Sequence, residues 1–161
     1  MKTVAFNGSP RTGGNTEILL RRVLAPIQAA GIETELIQVG GTPLAGCRGC
    51  YGCVRRKDRR CVNDGDQLNE YLTKMIEADA IVLGSPSYFA DMSAEMKALV
   101  DRAGFVAVAN GRLFKRKIGA AVAAHRRGGA VHVMDSINHM FLMSQMIVPG
   151  STYWNFGVGR E

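Results

Sequence analysis

Apolar residues follow two rhythms along this chain. Short continuous blocks such as "TVAF" and "AIVL" alternate with longer stretches in which apolar positions recur at helical spacing. Lys2–Gly8 reads as a strand running into a loop. Asn15 suits the N-cap of a helix reaching about Ala30, with Ile18, Leu19, Val23 and Ile27 inward and Gly31 as its stop. Ile32–Val39 alternates like a strand, Asp66 can cap a helix through Glu77, and Ala80–Ser85 is a buried strand. Ser93 caps a helix to about Val108, Lys117–Ala124 is a fourth strand, and a methionine-rich helix follows from about Val131 to Met146. "STYWNFGV" closes the series as a short fifth strand. Only residues 41–65 follow neither rhythm. They read as an irregular insertion, and function is the usual reason for so long an unstructured stretch.

Strands alternating with helices imply an α/β fold with a parallel sheet covered on both faces. Nothing in the chain reads as a repeat, a low-complexity tract or a linker, so residues 1–161 form one domain, large enough for its own core. In such sheets ligands sit beyond the carboxyl ends of the strands. The loops to inspect are therefore 8–15, 41–65, 85–92 and 124–130.

Composition narrows the class. With 47% hydrophobic and 21% charged residues, the chain reads as a soluble globular protein. No apolar run is long enough to span a bilayer, and "MKTVAFNGSP" lacks the basic and apolar regions of a signal peptide. A cytoplasmic location without a membrane partner is expected, so a disulfide framework is a poor reading of the four cysteines. The net charge is +6, and the basic residues gather at 48–60, 112–117 and 126–127. Aromatic residues do not interleave with them as single strands or RNA would require, which counts against nucleic acid.

The loop "GSPRTGGNT" (8–16) lacks both the lysine-terminated phosphate-loop pattern and G-x-G-x-x-G. It offers the hydroxyls of Ser9, Thr12 and Thr16, the glycines Gly13 and Gly14, and Arg11, all at a helix N-terminus that favours an anion. An ordinary turn and cap would explain the glycines and Asn15, but requires neither Arg11 nor three hydroxyls. In "GSPSYFADMS" (84–93), Pro86 fixes the backbone and puts Tyr88 and Phe89 on a loop. They serve there either as a lid on the core or, beside a monophosphate site, as a platform for a planar ring.

All four cysteines lie in "GCRGCYGCVRRKDRRC" (46–61) as C-x2-C-x2-C-x7-C. A structural zinc site usually takes two separated C-x2-C pairs. Three cysteines at every third residue instead suit neighbouring corners of a cubane. With no thiols left for a second cluster, Cys61 would complete the first. A [4Fe–4S] cluster on Cys47, Cys50, Cys53 and Cys61 competes with zinc and with an empty or oxidised site. Arg48, Arg55, Arg56, Lys57, Arg59 and Arg60 would offset the cluster's negative charge, raise its potential or dock an acidic electron carrier.

Taken together, "GSPRTGGNT", "GSPSYFADMSAEMKALVDR" and "AAHRRGG" resemble the flavin-binding segments of the flavodoxin-like NAD(P)H-dependent FMN reductases. With the cysteine run at 43–64, the chain is similar to the iron–sulfur flavoproteins of archaea and anaerobic bacteria. The resemblance covers essentially the whole sequence. It implies a doubly wound five-stranded parallel sheet of order 2-1-3-4-5, with FMN at its carboxyl edge and the cysteine loop as an insertion. Ser9, Arg11, Asn15 and Thr16 would then hold the phosphate. Pro86, Ser87, Tyr88 and Phe89 would line the ribityl chain and ring, and His125, Arg126, Gly128 and Gly129 would border the pyrimidine edge. Members commonly continue into a last helix, whereas this sequence stops at Glu161. Further residues, or a partner over one sheet face, are therefore expected.

The resulting expectation is an FMN and [4Fe–4S] electron-transfer oxidoreductase. Its donor would be a ferredoxin or similar carrier, NAD(P)H another possible electron source, and the terminal acceptor a small molecule. Beyond the cofactor sites no catalytic residue is required. His132 and His139, seven residues apart, read as structural. A dimer or tetramer would set one chain's cysteine loop beside its neighbour's flavin, and "HMFLMSQMIVPG" (139–150) suits either such an interface or the core. Two alternatives stay open: an NAD(P)H-dependent FMN or quinone reductase with no cluster, and a zinc-loop module that binds nucleic acid.

Overall fold

The computed structural model describes residues 1–159. The last helix that the resemblance implies would lie outside them. Five strands, β1 (Lys2–Asn7), β2 (Glu33–Gln38), β3 (Ala80–Pro86), β4 (Ile118–His125) and β5 (Phe156–Val158), form one sheet of order β2-β1-β3-β4-β5. Every pairing is parallel. The central strands β1 and β3 are continuous apolar runs because helices cover both their faces. The edge strand β2, "ETELIQ", is only half-buried and alternates.

Helix α1 (Asn15–Ala29) packs on one face over Ala5, Val82 and Val122. α3 (Leu68–Glu77), α4 (Ala94–Ala109) and α5 (Ala130–Met143) enclose the larger core on the other. Ser93 caps α4 as expected, accepting from the Met96 N–H at 3.4 Å. Elsewhere the boundaries differ. Gly14 occupies the cap position of α1 without a side-chain bond, and Asn15 is its first residue. Gln67 takes the cap of α3, while the Asp66 carboxylate accepts from the Leu68 N–H at 3.2 Å.

The inner face of α1 is also turned from the expected one. Leu20 and Leu24 are buried with Thr16 and Glu17, Leu19 and Val23 flank them, and Ile18 is 47% exposed. The apolar stripe is broad enough for two settings, and contact with the sheet selects the one centred on Leu20. The methionine-rich helix ends at Met143, earlier than expected. Its continuation divides, with Met140, Phe141 and Met146 in the core and Leu142, Met143 and Ile147 exposed. The cysteine segment is not wholly irregular, since α2 (Gly52–Arg56) forms a short turn within it. No helix among the described residues is long and apolar enough to cross a membrane.

Candidate functional site

The phosphate-loop candidate rests on a polar scaffold below it. Asn7, the last residue of β1, accepts the Ser9 N–H at 3.0 Å and donates to Gln38 Oε1 at 2.7 Å. Gln38 Nε2 then donates to the Ser9 and Gly40 carbonyls. Gly40 lies so close beneath the loop that a Cβ there would come within 3.0 Å of Ser9 and Gly8 backbone atoms. From the other side, Ser93 Oγ donates to the Gly8 carbonyl at 2.7 Å. These bonds fix the loop before any ligand arrives. Glu17 takes one of the loop's donors, accepting from Gly13 N–H at 2.6 Å, and that bond, reinforced by Arg21, holds its carboxyl below the usual range.

Two more loops close the cleft. Tyr88 and Asp91 exchange both backbone hydrogen bonds, so Phe89 and Ala90 form the tip of a two-residue hairpin with φ of 47° and 70°. That is the geometry in which glycine or asparagine is usual. Two non-glycine residues in the left-handed region store strain, as functional loops often do. The 125–129 loop is pinned to this hairpin. Ser87 donates from its N–H to the Ala124 carbonyl at 2.8 Å and from its hydroxyl to the Gly128 carbonyl at 3.0 Å. Gly129, at φ 90°, has no room for a Cβ against Ser87 and Ala90.

A cleft of about 350 Å³ opens between these loops, within the range of small-ligand pockets. Ser9, Arg11, Asn15 and Thr16 line it from one side, and Pro86, Ser87, Tyr88, His125 and Arg126 from the other. Ser9 and Thr16 are buried, and Ser9 Oγ accepts from the Arg11 N–H at 3.2 Å beside the N-terminus of α1. Both ring nitrogens of His125 are buried without a hydrogen-bond partner, and its ring meets Phe156 edge-on at 5.0 Å. A polar ligand in the cleft would relieve that deficit. Gly128 and Gly129 line an adjoining cleft that shares His125. Phe89 lines neither, since its side chain is fully exposed at the hairpin tip. Thr12 likewise lies outside the cleft lining. A larger cleft of about 480 Å³, between α5, β4 and residues 148–155, presents no charged side chain.

All four cysteines line a second, smaller pocket, between the loop and α4. Cys47 and Cys50 are exposed, Cys61 is half-buried and Cys53 is buried. Burial, with Cys61 and Cys50 nearby, pushes the Cys53 thiol up, so binding a metal there would release a proton. Gly52 packs so tightly on Val62 that a side chain would collide, and Tyr51, at φ 55°, stacks edge-on with Phe105 of α4 at 5.8 Å. Asn69 of α3 brackets Cys61, accepting from its N–H at 2.8 Å and donating to its carbonyl at 3.0 Å. Among the described residues, no three histidine, cysteine or acidic side chains are grouped to hold a metal ion. Zinc would need its four sulfurs about 3.8 Å apart, from Zn–S bonds of about 2.3 Å. Four thiols lining one pocket are a donor set that either a tetrahedral zinc or an iron–sulfur cluster takes.

Arg102 is the residue that sequence reasoning missed. It is 1% exposed and donates to Asp66 Oδ2 at 2.5 Å, the Ala45 and Asn63 carbonyls at 2.9 and 2.6 Å, and Cys61 Sγ at 3.5 Å. Burial works against its charge, but Asp66 and Cys61 outweigh that and raise its pKa. Only its position, beside Asp101 in the largely apolar run "ALVDRAGFVAVA", hinted at this. His132 and His139 are exposed, and His132 Nε2 lies 3.5 Å from Asp91.

Comparison with known proteins agrees with the fold. The model of a family described as NADPH-dependent FMN reductase matches residues 1–161. An iron–sulfur flavoprotein of Methanocaldococcus jannaschii is 40% identical over 167 residues, covering 99% of this chain and 84% of the relative. One from Methanosarcina thermophila is 35% identical over 152 residues, covering 93% and 78%. Among solved structures, an archaeal flavodoxin superposes with a TM-score of 0.65 at 19% identity, covering 98% of this chain and 85% of that one.

Proposed function

Since this chain belongs to the NADPH-dependent FMN reductase family, we propose that it is a cytoplasmic FMN and [4Fe–4S] oxidoreductase linking a one-electron donor, such as a ferredoxin, to a small acceptor. When bound, FMN supplies one- and two-electron chemistry and the cluster one-electron exchange. The chain's own part is to hold and orient both groups. Ser9, Thr16 and the first turn of α1 would take the FMN phosphate, with Arg11 and Asn15 at the rim. Pro86, Ser87 and Tyr88 would flank the ribityl chain and ring, Phe89 folding over it or meeting a neighbouring chain. His125 would supply the pyrimidine edge with a hydrogen-bonding group that lacks a partner, beside Arg126, Gly128 and Gly129.

The observation that carries this reading is the convergence of all four cysteines on one pocket, in a chain that also has the anion-ready cleft. Protein purified without air should hold close to four irons and four acid-labile sulfides per chain together with FMN. One zinc without sulfide would favour the nucleic-acid module, and FMN with no metal the cluster-free NAD(P)H or quinone reductase.

Arg11 gives a test of the cleft. Replacing Arg11 with alanine should weaken FMN binding about tenfold, roughly 1.5 kcal/mol, the low end for a hydrogen bond to a charged group because this side chain is exposed. Equal affinities by calorimetry would remove Arg11 from the site.

Assembly belongs to the same reading. Phe89, Leu142, Met143, Ile147 and Trp154 are exposed, an apolar supply suited to contact between copies. A homodimer or tetramer, with one chain's cysteine loop beside its neighbour's flavin, is the expected state. A monomer by light scattering that still transfers electrons rapidly from reduced cluster to FMN would refute it.

A further inference from the structure

We propose that Arg102 is the positioning residue of the cysteine pocket, a fixed cation that holds Cys61 in place and, through its sulfur, sets how readily a cluster there accepts an electron. The proposal rests on the [4Fe–4S] reading above. Arg102 projects from an α4 whose other inward residues, such as Leu99, Ala103 and Val106, are apolar. A buried guanidinium is costly unless every donor direction is used. Here its acceptors come from both ends of the cysteine segment, Ala45 before Cys47, and Cys61, Asn63 and Asp66 after Cys53.

A clamp needs only oxygen acceptors. The bond from Nη2 to Cys61 Sγ goes beyond that, because it aims positive charge at a candidate ligand atom. The loop's own cations act from more exposed ground. Arg56 pairs with Asp58 and is half-exposed, and Arg48, Arg55, Lys57, Arg59 and Arg60 are exposed, so solvent screens them. Arg102 acts from a buried position where screening is weak. An N–H donor on a ligand sulfur favours the reduced, more negative state. Asp66, on the opposite side of the guanidinium, partly offsets this effect.

The arrangement makes a prediction of sign. In Asp66→Asn the cation stays and its counter-charge goes, so the cluster's reduction potential should move positive. In Arg102→Met/Asp66→Asn the charge and the N–H···S bond both go without an unpaired carboxylate, so the potential should move negative. A merely structural network would lower iron content in both and produce no opposed shifts. The measurement is a spectroelectrochemical titration of anaerobically reconstituted protein, with iron and sulfide counted on the same samples. Opposed shifts support the proposal, and shifts of one sign, or none, overturn it. If the double variant does not retain iron, Asp66→Asn decides alone, a positive shift supporting the role and any other result sinking it. Wild type that takes up no iron and sulfide would instead refute the cluster reading, and this inference with it.

Discussion

Replacing Cys61 with serine is expected to remove most of the iron and acid-labile sulfide while leaving FMN bound at its wild-type stoichiometry. Serine is close in size, and the Asn69 bonds to the backbone of residue 61 do not depend on its side chain, so the segment should keep its path. The ligand changes, not the fold. A serine hydroxyl is a harder and far less acidic donor than a thiol, so it binds iron poorly at neutral pH. FMN should be spared because its candidate cleft is built from the loops after β1, β3 and β4, and residues 43–64 do not line it. The assay is iron, sulfide and flavin per chain on samples prepared without air. A mutant with a full complement of four irons would show that another group supplies the fourth bond. A mutant that loses iron and flavin together would show that the two sites depend on each other.

How much of this could be read from the sequence follows the range of the forces involved. The element order and the parallel sheet were legible, because blocks such as "TVAF" and "AIVL" report burial locally. The strand order was legible only through resemblance, since nothing in the residue pattern alone says which strands pair, whereas the loops that line the candidate cleft were marked out by their own residues. The setting of α1 was not legible. Its stripe admits two rotations of similar burial, and only contact with Ala5, Val82 and Val122 selects between them. Phe89 was assigned to the ring site as a loop aromatic and by resemblance, and the two-residue hairpin holds it exposed at the tip, which the sequence did not reveal. The basic residues around the cysteines stood out by number. Arg102, distant in sequence from all of them, became visible only when α4 came to rest beneath the loop.

Replacing Arg102 with methionine should cost the cofactor-free protein about 3–5 kcal/mol at pH 7, the range for removing one partner of a buried ion pair. That is a large share of the roughly 5–15 kcal/mol that holds a domain folded. Methionine keeps the apolar stem packed, so a cavity is not the main term. The loss comes from what remains behind. The Asp66 side chain, 7% exposed, keeps only the Ala45 and Leu68 N–H donors, and the Ala45 and Asn63 carbonyls each lose a donor. The dependence on pH tests this cause. In the wild type, burial tends to raise the Asp66 pKa, but Arg102 and the two N–H groups outweigh it and hold the carboxyl below its ordinary value. Its folded pKa therefore lies below the unfolded one of about 3.9, and its contribution is complete above that pH and fades as acid drives it through the lower folded value. In the variant burial acts without the cation and the folded pKa rises above the unfolded one, so acid stabilises the variant as the carboxyl takes up a proton. The gap between the two proteins should thus narrow from pH 7 to about pH 4.5, still above the unfolded carboxyl value. Adding Asp66→Asn should recover at least half of the loss at pH 7, because the unpaired charge is then gone. Urea unfolding at both pH values measures all of this. A gap that stays constant with pH, or a double variant no more stable than the single, would show that Arg102 is not needed to neutralise Asp66.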